Sequence, residues 1–369
     1  MRNNRILICL VSEQTLPNFL FIKEMFLPGD EILLITSYGY MEEKAEYLKK
    51  ALGWANTNIE VRTFSEKGIE NDFERLCKEM SFLSTIGNQC IANLTGGTKL
   101  MSLALYKQLE KKTDSEMYYM PFPKMMFHQI APTFKNIPIQ SKLTVNDYFT
   151  MYGIGYKPSK HGCTEPQEVA ETCFKRFTSV TRSKSEAEAM ETLRVKFRNE
   201  KKSVTPDRYN EVAAAVDYLS FKPSEANQLT KKEVEYLTGG WFEEWAYYII
   251  KEHLKLDNNS IAINPHISFP GRDTNSNRDN ELDVVFINDN QLYIVECKSG
   301  IENREKLNNY LDKANSIKQL TRSLSCNSAL FAIVGDNDNW RKTSETVGIY
   351  YLDKEKLLDP EKRYSFIKK

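Results

Sequence analysis

Apolar residues are distributed along this chain in two patterns. Short unbroken runs bounded by polar residues, such as Ile6-Leu7-Ile8-Cys9-Leu10-Val11, read as strands buried on both faces; stretches in which apolar residues return every three or four positions read as one-sided helices. Within residues 1–130 the two alternate. Strands are predicted over Arg5–Val11, Glu31–Thr36, Ile59–Arg62 and Gln89–Leu94, with helical periodicity between them, as in Met41–Leu52 and Ile69–Ile86. Met117–Pro121 and Met125–Ile130, on either side of Phe122-Pro123-Lys124, form a closing pair of strands. Such alternation marks a mainly parallel sheet with crossover helices.

Between Pro132 and Pro166 the pattern breaks up at Pro132, Pro138, Pro158, Pro166, Gly153, Gly155 and Gly162, so a domain boundary belongs there. Helices follow over Glu168–Phe177, Glu186–Arg198 and Asp207–Leu219. After Gly239 the order changes to a helix (Trp241–Leu254), three strands (Ser260–Phe269, Glu281–Asn288 and Gln291–Lys298), a helix (Glu302–Ser325) and two further strands (Ala329–Val334 and Gly348–Leu352). This is a second α/β domain around a mixed sheet. The chain thus divides into residues 1–140, a linking and helical region 141–237, and residues 238–369.

The 369 residues carry 50 Lys+Arg against 50 Asp+Glu, with 17 of each sign in residues 1–150 and 33 of each beyond. Neither half has a basic coat, so an anionic ligand has to be met by a local site rather than by the field of the whole protein. One concentration of charge is Arg194–Lys202, where Arg194, Lys196, Arg198, Lys201 and Lys202 accompany a single acid, Glu200. It reads as a solvated helix face or as a phosphate-contact strip. No apolar stretch approaches the ~18 residues of a membrane span. Cys9, Cys77, Cys90, Cys163, Cys173, Cys297 and Cys326 contain no CxxC pair, which predicts reduced thiols in a cytoplasmic protein. No two of His128, His161, His253 and His266 are spaced as a metal pair.

The chemistry concentrates in two places. In the second domain, Glu281-Leu282-Asp283-Val284-Val285 and Tyr293-Ile294-Val295-Glu296-Cys297-Lys298 are predicted strands joined by the turn Asn288-Asp289-Asn290, hence a hairpin. The period of two turns Glu296 and Lys298 to one face, away from Tyr293, Val295 and Cys297, and a hairpin register can bring Asp283 beside Glu296. Two acids and a lysine inside apolar strands are costly without partners, and a divalent cation is such a partner. On the preceding helix Glu243 flanks the face formed by Phe242, Trp245, Ala246, Ile249 and His253, whereas Glu244 points nearly opposite, into solvent. Glu281 precedes Asp283 by two residues on the same strand face, where it extends the acidic cluster or lines a substrate path. The loop Pro270–Asn280, with Arg272 and Arg278, is a surface connection or a substrate contact. Cys297 is a small core residue.

This Asp-x12-Glu-x-Lys arrangement, after a helix and within a three-strand unit, resembles the active site of the restriction-endonuclease-like PD-(D/E)xK superfamily, with Leu282 where the nominal pattern has Pro. The resemblance implies Asp283 and Glu296 as ligands of Mn²⁺ or Mg²⁺, Glu243 as a further ligand, Lys298 as the residue that orients the attacking water, and Glu281 as an added acid.

In the first domain, Asn93-Leu94-Thr95-Gly96-Gly97-Thr98-Lys99 follows the fourth strand and opens a helix. Two glycines let backbone N–H groups approach an anion, the helix start favours negative charge, and Thr95, Thr98 and Lys99 add hydroxyls and a cation. The segment reads as a phosphate-type cradle or as a glycine turn with a threonine cap; it has neither Walker A nor dinucleotide spacing. It resembles the ligand motif of the CARF (CRISPR-associated Rossmann-fold) domain, which also draws ligand contacts from the loop after the first strand, here Ser12, Gln14 and Thr15. A CARF-like first half joined to a restriction-endonuclease-like second half resembles the ancillary nucleases of type III CRISPR systems. That resemblance implies an α/β protein with a Rossmann-like CARF domain and a nuclease domain, assembled as a homodimer that binds a cyclic oligoadenylate. Cyclic tetra-adenylate is the expected ring, since its twofold symmetry suits a C2 site. The implied activity is cleavage of single-stranded or locally opened DNA, with RNA as the second candidate substrate, in antiviral defence. On the residues alone two other readings stay open: a nucleotide-sensing regulator with a binding-only second domain, and a repair or restriction-type nuclease without a second messenger.

Overall fold

The computed structural model describes residues 5–121, 124–160, 162–179, 183–269, 280–299, 304–320, 326–333 and 338–367. His161, Arg272 and Arg278 lie outside the described residues. In the first domain β1 (Arg5–Leu10), β2 (Glu31–Thr36), β3 (Ile59–Thr63), β4 (Gln89–Asn93) and β5 (Glu116–Tyr119) run parallel, and β6 (Met126–Ala131) and β7 (Lys135–Pro138) add an antiparallel edge. Crossover helices are α1 (Leu16–Met25), α2 (Tyr40–Ala51), α3 (Phe73–Glu79) and α4 (Lys99–Leu109). The continuous apolar run of β1 is explained by layers on both sides. Leu7, Cys9 and Val11 pack in one core with α1 and α2; Ile6, Ile8 and Leu10 pack in another with α3 and α4.

The sheet order is β3-β2-β1-β4-β5-β6-β7. The chain therefore builds outward from β1 to β3 and then returns to place β4 on the other side of β1, which makes the gap between the carboxyl ends of β1 and β4 the topological switch point. The periodic stretch Ile69–Ile86 is not one helix but α3 flanked by 3-10 turns, because Asp72 starts a fresh helix by accepting from the Glu74 and Arg75 N–H groups.

The region after β7 is structured. α5 (Val145–Met151) buries Tyr148, Phe149 and Met151 in the first domain's core, and β8 (Gly155–Lys157) stays against it, with Tyr156 stacked on Phe149 at 5.6 Å. α6 (Gln167–Thr178), α7 (Lys184–Thr192), α8 (Ala213–Tyr218), α9 (Lys231–Glu235) and α10 (Trp241–Leu254) form a helical layer. The Gly239-Gly240 pair does not break the chain ahead of α10. Thr230 caps α9, and the helix continues through a π-turn, Tyr236–Gly240, straight into α10, with Gly240 at helical φ −55° and ψ −35°. Buried Tyr236, Leu237, Trp241 and Phe242 on either side hold the glycines in the helix against their low propensity.

The second domain's strands are β9 (Ile261–Ile263), β10 (His266–Ser268), β11 (Asn280–Glu281), β12 (Val284–Asn288), β13 (Gln291–Lys298), β14 (Cys326–Ala332) and β15 (Tyr350–Leu352). α11 (Arg304–Leu320) precedes β14, α12 (Asp338–Thr346) precedes β15, and α13 (Lys354–Leu358) follows it. The predicted strand Ser260–Phe269 splits at Asn264-Pro265: β9 belongs to a five-stranded sheet, β15-β14-β13-β12-β9, and β10 to a small one, β11-β10-β8. The predicted strand Glu281–Asn288 splits in the same way, because β11 pairs with β10 while β12 pairs with β13 and β9.

β12 and β13 form the expected hairpin, with Asp289 and Asn290 both at positive φ (47° and 57°), the backbone of a two-residue type I′ turn. Their alternation serves two cores. Val284, Phe286, Tyr293, Val295 and Cys297 face Trp241, Phe242 and Trp245 of α10, and Val285, Ile287, Leu292 and Ile294 join the core of the first domain. At the hairpin tip Asn290 accepts from the Leu143 N–H (2.9 Å) and donates to the Ser141 carbonyl (2.9 Å), both just ahead of α5.

Trp245 stacks on Phe174 of α6 at 3.7 Å and 6° and is buried. Trp245→Ala is expected to destabilise the chain by ~3–5 kcal/mol, read by chemical denaturation.

Candidate active site

The register Val284↔Val295 puts Asp283 opposite Glu296 at the end of the hairpin. There Lys298 Nζ lies 2.7 Å from Glu296 Oε1 and 3.4 Å from Asp283 Oδ2, and Asp283 Oδ2 also accepts from the Cys297 N–H at 2.7 Å. Both acids are buried. Burial alone would lower the Lys298 pKa, but the charges of Asp283, Glu296 and Glu243 more than offset this and hold the ammonium well above its ordinary value. Lys298 is a fixed cation within an acidic cluster.

Glu243 reaches this cluster from α10. Its carboxyl is pushed up to about 8, by burial first and then by the charge of Asp283, with Lys298 and a hydrogen bond from the Asn264 side chain acting in the opposite direction. Asn264, at positive φ where the predicted strand breaks, also donates its N–H to the Asp283 carbonyl oxygen at 2.9 Å. It therefore touches both acids. The sequence signal for it is the Asn-Pro pair inside an otherwise apolar run.

Two expectations need correction. Glu244 does not point into solvent: it is 4% exposed and accepts from the Thr164 N–H, the Thr164 hydroxyl (2.8 Å) and the Glu165 N–H (3.2 Å). α10 is covered on that side as well, because α6 packs along it. Glu281 does not share a strand face with Asp283. It is exposed on β11, opposite His266, and the chain bends at Asp283 before β12 begins; its charge still raises Glu243. Cys297 is buried as expected, and burial pushes its thiol far up.

Among the described residues no three His, Cys, Asp or Glu side chains stand together closely enough to hold a metal ion as they are. The donor chemistry nevertheless fits a hard divalent cation, because Glu243, Asp283 and Glu296 offer carboxylate oxygens and the negative field of Asp283 already burdens Glu243.

The glycine turn lies where the switch point requires. β1 and β4 are neighbours with Cys9 opposite Asn93, so the loop of Ser12 and Gln14 and the turn of Thr95–Lys99 leave the sheet side by side. A Cβ on Gly96 would lie 2.0 Å from the Leu10 carbonyl oxygen, and Gly97 has φ +73°, so neither position accepts a side chain readily. Beneath the turn, Asn18 donates to the Leu10 carbonyl oxygen (2.7 Å) and Asn93 donates to Asn18 Oδ1 (2.8 Å), while Asn93 Oδ1 receives the Thr95 N–H (3.0 Å) and hydroxyl (2.6 Å). This asparagine pair was not among the sequence candidates.

The Thr95 hydroxyl is committed further, accepting from the Met120 N–H at 2.8 Å. Thr98 caps α4 through the Met101 N–H and donates to the Glu70 carbonyl oxygen. Thr15 is wholly buried with its hydroxyl on the Met151 carbonyl oxygen at 3.0 Å, which removes it from a ligand surface. Ser12 and Gln14 are half-buried, and Lys99 is exposed at the first turn of α4.

No protein of curated function matches this chain in sequence. Residues 6–148 match the family model of the Card1 CARF domain, and residues 230–356 match that of the Card1-like endonuclease domain. The protein is a CARF-domain nuclease. Its first half belongs to the Card1 CARF family and its second to the Card1-like endonuclease family.

Can2 from Sulfobacillus thermosulfidooxidans, solved in complex with cyclic tetra-adenylate, is similar in fold (19% identity, 99% of this chain and 100% of that one, TM-score 0.74). So is VC1899 from Vibrio cholerae (15% identity, 98% and 97%, TM-score 0.76). A type III CRISPR defence DNA nuclease activated by cyclic oligoadenylate aligns with 99% of this chain but 52% of its own (17% identity, TM-score 0.57). No described helix is long and apolar enough to cross a membrane.

Gly96→Ala is expected to cost ~1–3 kcal/mol through overpacking against the Leu10 carbonyl, and a thermal melt reads it. An unchanged melting temperature would contradict the close approach.

Proposed function

We propose that this protein is a cyclic oligoadenylate-activated, metal-dependent endonuclease of type III CRISPR defence, working as a homodimer on single-stranded or locally opened DNA, with RNA as a second substrate. The observation that carries this reading is the presence, in one chain, of a CARF domain with a glycine turn at its switch point and a nuclease domain whose hairpin ends in Asp283, Glu296 and Lys298. The neighbour solved with cyclic tetra-adenylate supports that ring as the activator.

On this reading Gly96, Gly97, Thr98 and Lys99, with Ser12 and Gln14, meet the ring's phosphates and ribose edges, and Thr95 holds the turn from below. Lys99 contributes the cation and the α4 start its N–H groups. Activation is a population shift, since the ring must bind the cutting-competent arrangement more tightly than the resting one.

At the second site Glu243, Asp283 and Glu296 would hold Mn²⁺ or Mg²⁺, which when bound supplies positive charge toward the scissile phosphate and an acidified water. Lys298 stays protonated and directs its ammonium at the attacking water or a phosphate oxygen. Asp283 is kept in place by the Cys297 N–H, so its carboxylate does not swing away when Lys298 turns to substrate. Asn264 steadies Glu243. Glu281 lends negative charge at the rim.

Asp283→Ala and Glu296→Ala are each expected to bring cleavage of single-stranded DNA below detection, with cyclic tetra-adenylate binding, followed by calorimetry, unchanged. Retained cleavage in either would remove the site assignment. Chelation with EDTA should stop cleavage in the parent, and Mn²⁺ should restore it. Lys99→Ala is expected to raise the ring concentration for half-activation about tenfold, the loss of one charge-assisted contact; a dose–response curve like the parent's would place the ring elsewhere.

A further inference from the structure

The basic strip Arg194–Lys202 is not uniform. Lys196 is paired with Glu211 (3.2 Å) and Lys202 with Glu200 (2.7 Å). Arg198 meets a carbonyl instead. It ends the π-turn Leu193–Arg198 that closes α7, and its Nη1 donates to the Thr238 carbonyl oxygen at 3.0 Å. Thr238 lies within the second π-turn, Tyr236–Gly240, and its carbonyl oxygen also accepts from the Ser299 hydroxyl at 3.2 Å. Ser299 directly follows Lys298. Arg198 and Ser299 thus share one acceptor, which fixes the guanidinium within two hydrogen-bond lengths of the residue next to the site's lysine.

Gly239 keeps that place open, since a Cβ there would lie 3.3 Å from Nη2. Arg198 itself is exposed. Satisfying the Thr238 carbonyl does not require a guanidinium, because the Ser299 hydroxyl already serves it. A guanidinium carries five N–H donors in a planar fork suited to phosphate, and one of them holds it in position here. The need for such a group is electrostatic. Asp283, Glu296 and the rim acid Glu281 set three negative charges against the one positive charge of Lys298, and a chain with 50 charges of each sign has no general positive field to offset that excess toward a polyanion.

We propose that Arg198 binds a backbone phosphate of the substrate strand adjacent to the one that is cut, as a positioning residue for the nuclease site. This rests on the nuclease reading given above. The contact is independent of base, so it orients and retains the strand without selecting sequence.

The test is equilibrium binding of a fluorescein-labelled single-stranded DNA oligonucleotide to the full chain, with saturating cyclic tetra-adenylate and EDTA to prevent cutting, over a series of KCl concentrations. Arg198→Ala is expected to weaken binding about tenfold for every sequence tried and to reduce the slope of log affinity against log salt by about 0.7, the share of one phosphate on a single strand. Arg198→Gln, which keeps a donor for the Thr238 carbonyl but no charge, should show the same slope, and it reads the charge if the alanine variant does not fold. Arg198→Lys should restore the slope while leaving affinity short of the parent's, and Lys202→Ala should leave both unchanged.

A parent-like slope in Arg198→Gln overturns the proposal, whether or not affinity falls, since a fall with unchanged slope assigns Arg198 to the joint with Thr238 alone. Failure of the parent to bind DNA overturns it too. A parent that binds with the expected variant slopes but does not cut in Mn²⁺ supports the phosphate contact and removes the nuclease reading.

Discussion

β12 and β13 are covered on both faces, by the α10 side on one and by the first domain's core on the other, so an ionised side chain in their middle would lose water in every direction. The three charges these strands carry are therefore gathered where the hairpin ends. Asp283 sits in the bend before β12, and Glu296 and Lys298 occupy the last turns of the pleat on β13. Each is bearable because the others are present: Lys298 bridges both acids, and the Cys297 N–H also donates to Asp283. The confinement that gathers these groups also makes them interdependent. The strained position is Glu243, pushed up by burial and by a carboxylate it cannot escape.

The first domain meets a comparable problem with neutral groups. To bring two glycines against the end of β1, the chain must bury the polar atoms beneath them, and it does so with an amide pair, Asn18 and Asn93, which occupies the Leu10 carbonyl, the Thr95 N–H and the Thr95 hydroxyl in one network. The turn is thus braced from below before any ligand approaches from above. Thr95 and Thr98, which look like ligand hydroxyls in the sequence, spend their first hydrogen bonds on this bracing and on the cap of α4.

Much of this was legible from residue order. Unbroken runs such as Ile6–Val11 announce strands with cover on both sides, and the polar turn between Asp283 and Glu296 announces a hairpin that can pair them; the two-residue loop Asp289-Asn290 is what sets the register. The misreadings have a common origin in burial supplied by distant segments. Glu244 looks solvated because a helical wheel cannot see α6 arriving on the far side. The helix is read as starting at Trp241 because propensity cannot see the aromatics that carry it through Gly239-Gly240. Thr15 looks available because nothing local shows that Met151 lies on top of it. Arg198 is one of five similar cations in sequence, and only the meeting of two π-turns sets it apart.

The grip of Asn290 on Ser141 and Leu143 has a mechanical consequence. β13 is eight residues long, about 25 Å at the rise of an extended strand, with its anchored tip at one end and Lys298 at the other. A stiff arm of that length pivoting at its tip by 2° carries its far end through roughly 1 Å, a displacement of the size that alters rates a hundredfold. The hairpin therefore has its tip fixed from outside its own sheet, by the segment that leads into α5. A tilt small enough to leave both cores intact would thus register at the end that carries Asp283, Glu296 and Lys298.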